Sequence, residues 1–406
     1  MPEPKRILIL TADAGFGHRS AANALAEAFE EARGGACVVE TVNGLDHPKT
    51  PAWLKRSQSD YDRIAREAAD LYKLSYDLSD TLLVSRMMDN AMRVLLFRAM
   101  RDIVLGFKPD VVISTYPLFL APLAALYTLR REAVPTVCVV TDLVTVHHVW
   151  FTGEPDLLVV PTEVVRGLAI GAGVRAERVE VIGIPVHPKI AGEKRGKTEA
   201  REALGWRRDL TALLAVGSKR VGKLESSLEA LNHSALPLQA AAVAGGDKAL
   251  YERLSSIGWH IPARVYDFVD DMPLLMRGSD FVLAKPGGLI VTESLAAGLP
   301  MIFVDMIPGQ ETGNADYVVS GGAGAIATSP LETLETAFHW LAGGGRLLAE
   351  KAANAKSLGR PRAAFDIADR AWALAEAGPE KREPLAAAAL AMLRDLFESF
   401  GERFEE

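Results

Sequence analysis

Twelve short apolar runs, separated by amphipathic helical patterns, restrict this chain more than any other feature. Six lie in the first half, at 6–10 (RILIL), 36–40, 110–114, 136–140, 157–160 and 179–183. Six more lie in the second half, at 211–217, 238–245, 263–269, 280–285, 300–305 and 324–328. Short runs that are apolar throughout, rather than alternating, are strands covered on both faces. Helices between them supply the crossovers of parallel sheets. A chain of 406 residues is too long for one ordinary core, so two α/β domains are expected.

The break between them falls near 188–205, PKIAGEKRGKTEAREALG, a polar Lys- and Glu-rich stretch flanked by strands and read as a linker. The expected domains are 1–190 and 191–365, followed by C-terminal helices over 366–406. Residues 46–108 stand apart as a helical insertion with few strand signals. Between Lys49 and Arg101 it carries ten Lys/Arg against seven Asp/Glu, in a protein of net charge −7, along with Trp53, Leu54, Tyr61, Tyr72 and Tyr76. Such a segment suits a lipid-facing surface, or ordinary helices covering a sheet. The last helix, PLAAAALAMLRDLFESFGERFEE, lines up Leu393, Phe397, Phe400 and Phe404 and is expected to pack back on the body.

Several function classes drop out. The acidic balance disfavours nonspecific nucleic-acid binding. Cys37 and Cys138 sit alone in apolar runs, which fits neither a disulfide framework nor a metal site. The opening MPEPKRILIL lacks the pattern of an export signal, and a cytoplasmic protein is expected. The uncharged stretch 111–129 is 19 residues long, enough to span a bilayer. It starts with the β-type run VVIS and holds Pro117 and Pro122, so it reads better as a buried strand and a core helix.

Three clusters carry chemistry. In LILTADAGFGHRSAANAL a strand runs through Gly15-Phe16-Gly17-His18 into a helix, the usual setting for a phosphate or sugar-hydroxyl site. As a dinucleotide fingerprint it is incomplete, because Ser20 stands where a third glycine belongs, although Glu40 ends the next run as a ribose-binding acid would. A histidine at a helix N-terminus has its pKa lowered by the dipole, which favours the proton-accepting form. The second cluster, VVTDLVTVHHVWF, places Asp142 just past a buried strand, with His147 and Trp150 offering a hydrogen-bonding ring and a stacking surface. The third, DFVLAKPGGLIVTESLAAGLPMIF, puts Gly287 and Gly288 in a tight turn before a helix bearing Glu293, whose carboxylate suits vicinal ribose hydroxyls. Gln310, Glu311 and Asn314 follow the next strand as a group suited to a sugar.

Together these motifs resemble the monogalactosyldiacylglycerol synthase and processive diacylglycerol glucosyltransferase group, from about residue 6 to 365. The carriers are GFGHRSAANAL, VVTDLVTVHHVWF, PTEVV, GIPVHP, REALG, FVDDM, GGLIVTESLAAGLP and IPGQETGN with DYVV. These are inverting, nucleotide-sugar-dependent GT-B enzymes. The resemblance implies two Rossmann-like domains facing across a cleft, with a UDP-sugar in the second and an acceptor in the first. It implies that Glu293 holds the ribose, Phe268 and Val269 border the uracil, and Gly287 and Gly288 approach the diphosphate. Gln310, Glu311 and Asn314 would meet the sugar. His18 would sit at the reaction centre beside Gly15, Phe16, Gly17, His147 and Trp150 on the acceptor side.

The catalytic pair is His18 and Asp142, either of which could take the acceptor proton. No metal or cofactor is called for, because helix N-termini and loop N–H groups can hold the leaving UDP. Two positions depart from the family. His187 in GIPVHP stands where an arginine is usual, and the first turn of the second half reads Gly217-Ser218-Lys219-Arg220, in which Lys219 or Arg220 would restore the charge. The expected reaction is hexose transfer from UDP-galactose or UDP-glucose to diacylglycerol at a membrane surface. The alternatives are another lipid or small-molecule acceptor, a weakly catalytic nucleotide-sugar sensor and, more distantly, a dehydrogenase.

Overall fold

The computed structural model describes residues 3–14, 16–56, 58, 90–130, 132–192, 195–217, 222–306 and 311–381. The strands are β1 (Lys5–Thr11), β2 (Cys37–Asn43), β3 (Val111–Ser114), β4 (Glu132–Ala133), β5 (Thr136–Val139), β6 (Leu157–Val160) and β7 (Val179–Val181). The second half adds β8 (Thr211–Val216), β9 (Leu238–Val243), β10 (Ala263–Tyr266), β11 (Phe281–Ala284), β12 (Met301–Phe303) and β13 (Gly324–Ile326), with β14 (Glu380–Lys381) at the end. All twelve apolar runs form strands. They make two six-stranded parallel sheets, ordered β2-β1-β3-β5-β6-β7 and β10-β9-β8-β11-β12-β13. Every residue of β3, β5, β6, β9 and β11 is buried, which is why those runs show no polar alternation.

The helices named below are α1 (Phe16–Arg33), α2 (Phe97–Phe107), α3 (Leu120–Thr128), α4 (Glu163–Gly171), α5 (Pro188–Gly192), α6 (Lys197–Leu204) and α7 (Leu224–Asn232). They continue with α8 (Lys248–Ser256), α9 (Met272–Gly278), α10 (Gly288–Ala296), α11 (Thr312–Ser320), α12 (Pro330–Leu358) and α13 (Ala363–Ala377). The second sheet has the full doubly wound order. In the first, β2 is the outer strand, because residues 44–110 contribute no strand among the described residues. Both sheets reverse direction beside their central strands, at β1/β3 and at β8/β11, and ligands of open parallel sheets collect at such points.

The stretch 111–129 is the strand β3 and the buried helix α3. Among the described residues no helix is long and apolar enough to cross a membrane. The polar stretch read as a linker holds α5 and α6. Arg201 of α6 is buried, pairs with Asp280, and donates Nε to the Gly278 carbonyl at 2.8 Å, which fastens α6 to the second sheet. The chain then returns. Ala364, Ile367, Ala368 and Ala371 of α13 share one core with Ile7, Ile9, Ile113 and Val137 of the first sheet. Two-residue β14 also pairs antiparallel with β4, a contact too short to leave a sequence signal. The 384–406 helix and Tyr61, Tyr72 and Tyr76 of the insertion lie outside the described residues.

Candidate active site

The two reversal points meet across a narrow seam. On the first domain, His18 lies in the opening turn of α1. Its Nδ1 is 2.9 Å from the Thr115 carbonyl oxygen, just past β3, and 2.8 Å from Thr141 Oγ1, just past β5. A carbonyl only accepts, so Nδ1 is assigned the hydrogen and the lone pair falls on Nε2. Thr115 Oγ1 in turn donates to the His18 carbonyl at 3.0 Å, tying the first turn of α1 to β3. The imidazole meets the Tyr116 ring edge-on at 5.0 Å and lies 5.9 Å from the Trp150 ring. Burial among these groups lowers its pKa to about 4, partly opposed by the Thr115 carbonyl. The ring is therefore neutral at pH 7. The cause is burial, in place of the helix dipole expected from the sequence.

Asp142 is engaged on its own loop. Its Oδ2 accepts the Trp150 indole N–H at 2.7 Å, and burial raises its carboxyl to about 6 against that hydrogen bond. Trp150 corrects an expectation: at 2% exposure it presents no stacking face to an acceptor and instead orients Asp142. His147 is likewise engaged, its Nδ1 accepting the Val149 N–H at 3.1 Å. Gly15 lies outside the described residues. Gly17 has open space where a side chain would be, as an approach surface requires.

On the second domain, β11 runs into Lys285-Pro286-Gly287 and then α10. A Cβ built on Gly287 would lie 3.7 Å from Lys285 Nζ and 3.8 Å from Glu311 Oε1, so this buried ion pair borders the turn. Glu311, 5% exposed, is held by Lys285, and Asn314, 6% exposed, donates Nδ2 to the Pro286 carbonyl at 3.1 Å. The sequence pattern assigns both to the sugar; in the structure they brace the turn from beneath. Gln310, Ser218, Lys219 and Arg220 lie outside the described residues. Gly217 is a packing glycine, because an added Cβ would sit 2.4 Å from Leu250 Cδ2. Phe268, 69% exposed just beyond β10, is an open aromatic platform, while Val269 packs into the core beside it.

Glu293 follows on α10. Burial alone raises its carboxyl to about 7, with no cation among the described residues offsetting it. A half-buried carboxyl without a positive partner wants hydroxyl donors from a ligand. His187, expected near a phosphate, is occupied elsewhere. Its Nδ1 accepts the Lys189 N–H at 3.2 Å and its Nε2 lies 3.3 Å from Glu27 Oε2 of α1. Among the described residues, the cation bordering the Gly287 turn is Lys285. Sequence reasoning gives Lys285 no role, and it misses Thr115, Thr141 and Tyr116, since only the fold brings them to His18. Glu40 lies exposed in the middle of β2, away from the strand end a ribose acid occupies.

The family model for monogalactosyldiacylglycerol (MGDG) synthase matches residues 18–186. Monogalactosyldiacylglycerol synthase of Spinacia oleracea is 32% identical over 374 residues, covering 90% of this chain and 71% of that protein. The chain belongs to the monogalactosyldiacylglycerol synthase family. Monogalactosyldiacylglycerol synthase 1 of Arabidopsis thaliana is 31% identical over 375 residues, covering 90% and 70% of the two chains. Both relatives are described as chloroplastic. Among solved structures, MurG of Acinetobacter baumannii superposes with a TM-score of 0.57 at 18% identity, covering 91% of this chain and 99% of that one. UDP-GlcNAc 2-epimerase of Neisseria meningitidis gives 0.56 at 15%, covering 90% and 99%. These two likenesses show the fold. This synthase-family member is a glycosyltransferase of GT-B architecture.

Proposed function

We propose that this protein transfers a hexose, from UDP-galactose or UDP-glucose, to diacylglycerol with inversion at the anomeric carbon. The observation that carries the reading is the neutral, partly buried His18, held through Nδ1. Its domain also touches the donor-side helix, where the Thr141 carbonyl comes within 3.8 Å of a Cβ built on Gly288. His18 Nε2 takes the proton of the acceptor hydroxyl as that oxygen forms its bond to C1. The C1–O bond to the diphosphate breaks, and UDP leaves with the extra negative charge. The N-terminus of α10 and Lys285 stabilise that charge, Glu293 accepts from the ribose hydroxyls, and Phe268 stacks on the base. Asp142, oriented by Trp150, shapes the acceptor side. Charge relief of this kind needs no metal, so EDTA is expected to leave the rate unchanged.

The test is transfer to diacylglycerol in mixed micelles with either donor. A β-linked glycolipid from one donor supports the reading. Failure with both donors, in protein that still binds UDP, sinks the proposed acceptor.

The first domain also offers a surface for the bilayer. Arg93, Val94, Phe97, Arg98, Ala125 and Leu129 line a groove of about 550 Å³ beside α2 and α3, with Val94 78% and Leu129 65% exposed. Apolar side chains rimmed by arginines suit an interface with anionic lipid. At roughly 1 kcal/mol per basic residue near such a surface, an Arg93→Gln/Arg98→Gln variant should bind anionic vesicles about 30-fold more weakly. Vesicle sedimentation checks this, and unchanged binding would move the membrane contact elsewhere.

A further inference from the structure

Gly313 is the second residue of α11, a regular helix, and its φ is negative. Nothing in its backbone calls for glycine, and glycine is the poorest helix former after proline. The reason lies across the seam. A Cβ built on Gly313 would sit 2.4 Å from Thr145 Oγ1 and 3.6 Å from both Thr145 Cβ and N. Thr145 belongs to the other domain, on the 141–145 loop beyond β5. The same loop buries Leu143 in a core with Val291 and Leu295 of α10 and Ala315 of α11, so it is clamped onto the donor-side helices. At its start, Thr141 Oγ1 holds His18 Nδ1 at 2.8 Å.

We infer that Gly313 is a positioning residue: its missing side chain is the seat for Thr145, and that fit sets how closely the His18 domain closes on the donor turn. The inference rests on the transfer reading above. An alanine at 313 would push the loop outward, carrying Thr141 and Asp142 with it. A displacement of roughly 1 Å at a reacting centre costs on the order of 100-fold in rate. Rotation about χ1 relieves the contact only in the one rotamer that turns the Cβ hydrogen of Thr145 toward position 313. One of its two other rotamers brings the methyl to the place the hydroxyl leaves, and a β-branched side chain is held stiffly in the rotamer its backbone prefers.

A size-swap cycle tests this, using Gly313→Ala, Thr145→Ala and the double variant. Each is measured for transfer rate at saturating donor, for UDP affinity, and for amide hydrogen exchange in the 140–151 segment. For Gly313→Ala the expected result is a loss of rate of about 10- to 100-fold, unchanged UDP affinity, unchanged melting temperature and faster exchange in that segment. Thr145→Ala alone should stay near wild type. The double variant, which removes Oγ1 and leaves the Cβ contact at 3.6 Å, should regain most of the rate and the protection. Wild-type rate in Gly313→Ala, or a double variant no better than the single, overturns the inference. A wild type that transfers nothing sinks the reaction reading instead. The exchange arm then still decides the seam, and equal exchange in wild type and Gly313→Ala overturns it.

Discussion

His18→Ala should lower the transfer rate by about 1,000-fold while leaving UDP affinity untouched, since removing a positioned general base typically costs 10²- to 10⁴-fold. His18 lies on the domain opposite the donor turn. Its Nδ1 is committed to Thr115 and Thr141, so Nε2 is the nitrogen available to an acceptor hydroxyl. Steady-state kinetics beside calorimetric titration of UDP separate the outcomes. Equal loss of rate and of UDP binding would mean that the variant damages the donor domain, and His18 would no longer be the base. A stability signature accompanies the kinetics. Between pH 6.5 and about 4, the unfolded chain takes up a proton at this residue that the folded protein refuses. Folded stability therefore drains as pH falls through that window, and His18→Gln should flatten the dependence there. Denaturant melts at about pH 7.5 and about pH 5 measure it.

Glu293→Gln should move stability and binding in opposite directions. In the folded protein its carboxyl titrates near 7 in place of the usual 4.5, so the folded state holds the proton more tightly than the unfolded. That preference stabilises the fold at low pH and is lost as pH rises from about 4.5 through 7. Above pH 7 the enzyme therefore keeps an ionised, half-buried carboxylate with no cation beside it among the described residues until ligand arrives. Glutamine removes that cost. One pKa unit corresponds to about 1.4 kcal/mol, and Glu293 is only half-buried, so a gain of about 1–2 kcal/mol, or a few degrees in melting temperature, is expected at about pH 8 and none at about pH 4. Each hydrogen bond to a charged group is worth about 1.5–3 kcal/mol, so UDP affinity should fall by about 10- to 100-fold. The rise of donor KM in wild type as pH drops through about 7 should vanish in the variant. A variant that is less stable at about pH 8 and binds UDP normally would remove Glu293 from the nucleotide site.

Such a trade is what a ligand-binding group looks like before its ligand arrives. Glu311 shows the contrary case, a buried carboxylate already satisfied by Lys285 beneath the turn. Glu311 and Asn314 are legible as polar residues past a strand end, but whether a polar side chain faces a ligand or braces a loop depends on neighbours in space. Trp150 offers no stacking face for the same reason: it is buried, and its indole N–H is spent on Asp142 within its own loop.

The strand–helix alternation, the two parallel sheets and the site at strand C-termini follow from the sequence alone. They depend on local apolar patterning and on turn glycines, which neighbours in the chain dictate. His18 and Glu293 are singled out as candidates the same way, since strand–turn–helix is a local signature. What only the tertiary structure decided are the partners. Burial sets the His18 pKa, Thr115 and Thr141 from two other strands assign its tautomer, and Glu27 occupies His187. Gly313 likewise acquires its meaning from Thr145, 168 positions earlier in the chain. Contacts between distant segments depend on how two domains pack, and a one-dimensional pattern carries no record of that distance.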